Sequence, residues 1–514
     1  MGYQEKYDVI VVGGGTGGVL AAIAAGREGA RTLLIEQYGF LGGTATAGGL
    51  CNMASFFYKD EQVIRGLPQE FMDRLVACGG ATPHLRALKS YGSGYYASLY
   101  NRELYKWISM EMVCEAGVEL MLHTYLADVV VEGNKVKGVV VENKSGRSTY
   151  YGDVIIDATG DADVAVRAGA EWVMGDGSGV IQPGSLMFDM GNVDIDRLHD
   201  YVMSTLEDYD VKTEQIPVDK PIPANLQQRQ FVAQGFYSLF REKAVKGEVY
   251  SAKESILFTT TALPGVISLN STRCHFDPTD AKSRTEAELD GHKQAESISR
   301  FLIEHVPGFE KSYLADSGIE IGFRESRHIV GEYTMEAEDV QRGRHFDDVI
   351  ARYGFPCDVH KETKGSYWDD PHKDTRTVEG LWIENDDAYD LPYRCLIPKK
   401  MDGLLVIGRC ISVSHIAHGS TRLMPLVMAE GQAAGIAAKL AIDDQVEVRA
   451  VDIRKLQKRL LEEGACLYRD EEIVKQEKAR AKAAIEEFLA TRESVNTRED
   501  VEWFDDSCKL TETR

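Results

Sequence analysis

Three stretches gather side chains able to do chemistry. "HIAHGSTRLMP" (His415 to Pro425) sets two histidines three apart, a hydroxyl pair and Arg422 ahead of a proline that can open a helix. "GFRESRHIVGEY" clusters Arg324, Glu325, Arg327 and His328 on what reads as a strand entering a turn, and "VIVVGGGTGG" puts Gly13, Gly15 and Gly18 in the spacing G-x-G-x-x-G. Imidazoles move protons near neutral pH or ligate metals, a guanidinium grips an anion through a planar donor fork, and glycines let backbone approach a pyrophosphate. His415 and His418 at i and i+3 share a metal ion only if further ligands arrive from elsewhere. No second cluster with helical metal spacing is visible, so the sequence predicts no metal site. For Arg324, Glu325, Arg327 and His328 two readings stand level: groups at a substrate or cofactor, or an internal ion-pair network.

The glycines have a positioning context. Tyr7 to Val12 is a short apolar run, Thr16 to Gly29 an alanine-rich helical pattern, and Arg31 to Glu36 a second apolar run ending in an acid. That is a compact βαβ unit. Gly13, Gly15, Thr16, Gly17 and Gly18 form its first turn, with the helix N-terminus facing a phosphate. Glu36 falls roughly 20 residues later, where a carboxylate meets a ribose hydroxyl. The context predicts dinucleotide binding over a bare glycine-rich turn, without separating NAD from FAD.

Downstream, Arg102 to Ala116 reads as an amphipathic helix, followed by alternating segments with turns at Gly133-Asn134 and Ser145-Gly146. These hairpins run into "VIIDATGDAD", a strand ending at Ala158, Thr159, Gly160 and Asp161. A β-meander followed by a strand ending in A-T-G is how flavoproteins complete an FAD domain. "GLLVIGRCIS" (Gly403 to Ser412) is another buried strand, and Pro425 to Leu440 a helix whose "EGQAAG" permits close backbone packing. Between Gly175 and Asp390 strand-like runs mix with a long helix from about Ala281 to His305, and no second strand, G-x-G-x-x-G and helix occurs. A separate NAD(P) domain is therefore not expected. The predicted fold is α/β: a Rossmann-like dinucleotide-binding domain with a β-meander (1–174, returning at 391–445), interleaved with a mixed α+β substrate domain (175–390) and followed by a helical C-terminal region (446–514).

The formal charge of −23 over 514 residues, with an apolar share of 44%, describes a folded acidic surface rather than disorder. Nucleic acid and membrane insertion are disfavoured, and a small-molecule substrate is expected. Glycines and early acids mark the first apolar run as a fold element rather than a signal peptide, so a cytoplasmic location is expected. Nine scattered cysteines without a C-x-x-C argue against disulfide frameworks, zinc ribbons and locally held iron–sulfur clusters. The lysine- and glutamate-rich tail from about Val451 reads as a solvated face or a homo-oligomer contact.

Taken in order, "YDVIVVGGGTGG", "LIEQYGFLGGTATAG", "DATGDAD", "QPGSLMF", "GFRESRHIVGEY", "LPYRCLIPK" and "GRCISVSHIAHGSTRLMPLVMAEGQAAG" resemble the bacterial FAD-dependent oxidoreductases of the FAD_oxidored type, within the glutathione-reductase-like flavoproteins. The resemblance implies FAD, held by the glycine turn, Glu36, the loop Gly42, Gly43, Thr44 and Thr46, the stretch Ala158 to Asp161, and Gly408, Arg409 and Met424. "HGSTRL" is also similar to the H-G-x-x-R-L stretch of succinate dehydrogenase and fumarate reductase flavoproteins, where the histidine and arginine lie near the flavin and help hold a dicarboxylate; here Met424-Pro425 replaces the expected glycines. The segment from His415 to Pro425 is accordingly read as a flavin-adjacent wall, with a purely structural turn as the alternative. The implied reaction is hydride transfer between a small polar substrate, such as a hydroxy acid or sugar, and flavin N5. His418 is the preferred base, Arg422 the substrate anchor, and Arg324 and Glu325 the remaining catalytic candidates. The alternatives are fumarate-reductase-like reduction of an activated alkene, or a non-catalytic electron-transfer subunit; in each case the electron partner is unidentified. Cys51 reads as a buried thiol rather than a covalent flavin link, and Tyr95, Tyr96 and Tyr100 as pocket-lining or packing residues.

Overall fold

The computed structural model describes residues 6–89, 95–205, 208–360, 381–491 and 501–504. Cys508 and part of the 446–514 region lie outside them. Strands Thr32–Ile35, Lys6–Val12, Gly146–Asp157 and Leu404–Val406 lie side by side and parallel, with Glu119–Met121 beyond Thr32–Ile35. Their cores are near-continuous Val, Ile and Leu because both faces are covered. Val12 stands opposite both Ile35 and Asp157, and Asp157 opposite Val406. Four segments therefore leave the sheet at one edge, the edge where open α/β sheets bind ligands.

The meander grows from the same sheet. Tyr125–Glu132, Lys135–Asn143 and Gly146–Asp157 pair antiparallel, with Gly133 and Gly146 at φ 65° and 99° in the turns. Tyr151 pairs with Gly138 of the meander on one side and Lys6 of the parallel sheet on the other, so one long strand joins both parts.

The helix Thr16–Arg27 is covered by the helix Met424–Asp443, a little longer than the predicted Pro425 to Leu440. A Cβ on Gly431 would lie 2.2 Å from the Gly17 carbonyl oxygen, and one on Gly435 2.3 Å from that of Ala21. Only the small residues of "EGQAAG" allow the two backbones to touch.

A second, nine-stranded sheet carries the substrate domain. The long helix Ala281–His305 packs on it through Ala287, Ile298, Phe301 and Leu302, in one apolar cluster with Phe188, Phe231 and Leu269. The domain boundary at 174 needs correction. Asn52–Ala54, Leu85–Ala87 and Tyr96–Leu99 belong to this second sheet, where Gln215 pairs with Ala87 and Pro217 with Leu85. Short apolar runs specify strands but not their partners, so this early crossing left no local sign. The tail is also more than a solvated face: Leu456 and Leu460 are buried, and Glu477 accepts from the Gln62 backbone N–H at 3.0 Å. Among the described residues no helix is long and apolar enough to cross a membrane.

Candidate active site

A cavity of about 910 Å³ runs from the carboxyl edge of the parallel sheet to the second sheet. Gly13, Gly15, Thr16, Gly17 and Gly18 line one end. Gly13 sits at φ 102° and its Cβ would meet the Ala158 carbonyl oxygen at 2.4 Å, while one on Gly18 would meet the Gly13 oxygen at 1.9 Å. The turn is a cradle that side chains would fill. Glu36 accepts from the Gly14 and Tyr38 backbone N–H groups at 2.7 and 2.9 Å. Burial raises its pKa against those hydrogen bonds. Ala158, Thr159, Gly160 and Asp161 face the cavity from the third strand, and Gly408 and Arg409 from the fourth. Asp161 accepts from Arg409 Nη2 at 2.7 Å and Ser326 Oγ at 2.6 Å; burial opposes its charge, but these partners hold its pKa below the ordinary value. Leu423 and Met424 bring the N-terminus of a 20-residue helix to the wall, with its unpaired N–H groups and partial positive charge.

Within the Gly42–Thr46 loop the residues divide. Gly43 and Thr44 line the cavity, whereas Gly42 and Thr46 do not. Gly42, at φ 117°, donates from its N–H to the Gly14 carbonyl, and Thr46 Oγ1 donates to the Leu41 carbonyl at 2.9 Å. They shape the loop. Glu430, which the sequence reading passed over, accepts from the Gly408 N–H at 2.7 Å, and burial raises its pKa far above the usual carboxylate range. Tyr95 lines the cavity, while Tyr96 packs on Phe57 and donates to Asp60, and Tyr100 donates to the Leu50 carbonyl. Cys51 is a buried thiol that burial and Asp189 push up to about 12.

At its other end the cavity becomes a basic chamber. Lys253, Arg273, Arg324 and Arg422 line it, against the carboxylates of Glu254 and Asp358. Arg324 Nη1 donates to the Pro183 carbonyl at 2.8 Å and to Ser185 Oγ at 3.0 Å. Arg422 Nη2 donates to the Asp358 carbonyl at 2.9 Å, leaving its buried Nε without a hydrogen-bond partner. Burial, then the positive charges of Arg422 and Arg273, bring Arg324 down to about 9. Burial and the nearby Arg273 and Arg324 bring Lys253 down to about 7, against Glu254 and Asp358. Crowded cations that depress one another form a site for an anion. Arg324 and Arg422, both singled out in the sequence, line this chamber, while Lys253, Arg273, Asp358 and His360 went unseen because they come from three separate segments that only the fold brings together.

His418 and Glu325 are not where a substrate base should stand. Neither is among the described residues lining the cavity, and both are fully buried. His418 donates from Nε2 to the Arg324 carbonyl at 2.8 Å, and its ring meets that of His328 edge-on with centroids 4.6 Å apart. Burial and then His328 depress its pKa well below the ordinary value. Glu325 accepts from the Gln182 N–H at 2.9 Å, from His328 Nε2 at 3.0 Å and from His415 Nδ1 at 2.8 Å. These hydrogen bonds overcome burial and hold its carboxyl well below the usual range. One donor atom each from Glu325, His328 and His418 lies within 4.8 Å of the others. The sequence reading found no second ligand cluster because these pairs sit about 90 residues apart.

The profile of the FAD dependent oxidoreductase family matches residues 8–460. The chain belongs to that family. The cofactor of this oxidoreductase is FAD, and the glycine cradle, Glu36 and the cavity volume fit it. The family is one of enzymes, which leaves the electron-carrier reading without support. The thiamine thiazole synthase of Aeropyrum pernix is 33% identical over 181 residues, 32% of this chain and 59% of that protein. The digeranylgeranylglycerophospholipid reductase of Methanocella arvoryzae is 28% identical over 163 residues, 30% of this chain and 40% of that protein. The oxidoreductase therefore matches less than two thirds of either relative. A solved geranylgeranyl bacteriochlorophyll reductase-like protein of Thermoplasma acidophilum aligns with 95% of this chain and 97% of its own at 14% identity and a TM-score of 0.46. That likeness carries no argument about substrate.

Proposed function

We propose that this oxidoreductase acts on a small carboxylate, such as a hydroxy acid, held in the chamber of Lys253, Arg273, Arg324 and Arg422. The observation that supports this reading is the continuity of that chamber with the cavity built by the glycine turn and the third and fourth strands. Bound FAD supplies hydride acceptance or donation at N5. The chain does the rest. Arg324 and Arg422 grip the carboxylate and fix its orientation, with Arg324 braced by Pro183 and Ser185. Lys253, tuned to about 7, takes or returns the accompanying proton at Nζ. Anaerobic mixing of FAD-replete protein with hydroxy acids, sugars and amines tests the assignment: bleaching by hydroxy acids is expected, and bleaching by neutral sugars or amines alone would overturn it.

Reduction of an unsaturated carboxylate is the second reading, favoured by Arg422 of "HGSTRL" standing in the chamber. Reoxidation of chemically reduced protein by unsaturated dicarboxylates distinguishes it.

A further inference from the structure

The cluster behind the chamber has the composition and the loose ends of a metal site. Glu325, His328 and His418 offer one carboxylate and two imidazoles, all fully buried, with donor atoms within 4.8 Å of one another. Nδ1 of His418 is buried without a hydrogen-bond partner, a costly arrangement for an imidazole nitrogen in an apolar interior, while His328 faces Glu325 with Nε2 at 3.0 Å. The hydrogen bond from His418 Nε2–H to the Arg324 carbonyl fixes the tautomer and leaves Nδ1 as a bare lone pair. Ligating histidines are held in this way by an outer carbonyl or carboxylate. The Gln182 N–H holds one oxygen of Glu325, and His415 Nδ1 lies 2.8 Å from the same carboxylate.

We propose that Glu325, His328 and His418 bind one zinc ion at a buried site behind the substrate chamber, with His415 holding the Glu325 carboxylate from outside. Two imidazoles and one carboxylate supply borderline nitrogen and oxygen donors, the kind that zinc takes with a fourth position left to water. Because none of the three ligand residues lines the cavity, the ion does not reach the substrate. It would tie the Arg324 segment to the helix His415–Thr421, whose C-cap residue is Arg422, and so hold the two chamber arginines at a fixed separation. The site stands independently of the substrate assignment.

Elemental analysis of full-length, FAD-replete protein purified without chelators is expected to give one zinc per chain. After removal with dipicolinate, Zn2+ should raise the melting temperature. Co2+ should give tetrahedral d–d bands once dithionite has bleached the flavin. His328→Gln and Glu325→Gln should retain FAD and lose the cobalt bands; if either fails to fold, zinc K-edge absorption on the wild type decides by showing nitrogen and oxygen ligands and no sulfur. Metal-free wild-type protein with no thermal response to either ion overturns the proposal, as does zinc retained at full stoichiometry in a folded His328→Gln.

Discussion

His418 in the helix His415–Thr421 donates from Nε2 to the backbone carbonyl of Arg324 at 2.8 Å, so a histidine sets the position of an arginine 94 residues away. The arginine's side chain reaches the cavity and the histidine does not. His418 is thus a positioning residue. His418→Ala is expected to lower the melting temperature and weaken binding of a small carboxylate, while the pH profile of flavin reduction keeps its shape. A profile that loses its acidic limb in this variant would return His418 to the role of base.

Removing one chamber arginine should cost a charge-assisted contact. Arg324→Ala and Arg422→Ala are each expected to weaken carboxylate binding by about 1.5 to 3 kcal/mol, roughly 10- to 150-fold, with FAD retained. Arg324→Lys should recover only part of the loss, since a point charge cannot reproduce a planar fork braced on Pro183 and Ser185. Flavin difference spectra give the dissociation constants. Full rescue by lysine would argue for simple charge attraction.

Lys253 gives the protein a pH signature. Its native pKa, about 7, lies below the ordinary 10.5 of an unfolded lysine. Between those values the unfolded chain binds the extra proton, so stability should rise with pH across that window; below about 7 both states are charged and the burial penalty is complete. Lys253→Met should flatten this slope and melt higher than wild type in mildly acidic buffer. Carboxylate binding should show the opposite trend, weakening as pH rises through about 7, because the anion favours protonated Lys253. Thermal melts and binding curves across the window test both signs.

Helix contact and cofactor retention should fail together. In Gly431→Val the new Cβ would start 2.2 Å from the Gly17 carbonyl oxygen, in the same turn that lines the dinucleotide end. Overpacking of this kind costs about 1 to 3 kcal/mol. A lower melting temperature with reduced FAD content is expected, and unchanged values of both would show that the helices part without disturbing the turn.

The dinucleotide end was legible because its signals are local: the glycines, the helix they open and Glu36 fall within 24 residues of one another, from Gly13 to Glu36. Within the next loop, residue type could not say which positions face inward and which fold the turn, so Gly42 and Thr46 were grouped with Gly43 and Thr44. The basic chamber is the opposite case. Lys253 precedes the strand Ile256–Thr260, Arg273 follows Ile267–Leu269, and Arg422 ends a helix of another segment. Only the order of the nine-stranded sheet and its docking bring them together. Likewise Glu325 with His328, and His415 with His418, each look incomplete until the fold joins them.

Titration of oxidised, FAD-replete protein with a small carboxylate that lacks an oxidisable hydroxyl, and with its methyl ester, followed by the flavin difference spectrum, probes the chamber most directly. The acid should bind about 10- to 150-fold more tightly than the ester, with the difference abolished in Arg324→Ala. Equal affinity for acid and ester in the wild type would contradict an anionic substrate in the chamber of Lys253, Arg273, Arg324 and Arg422.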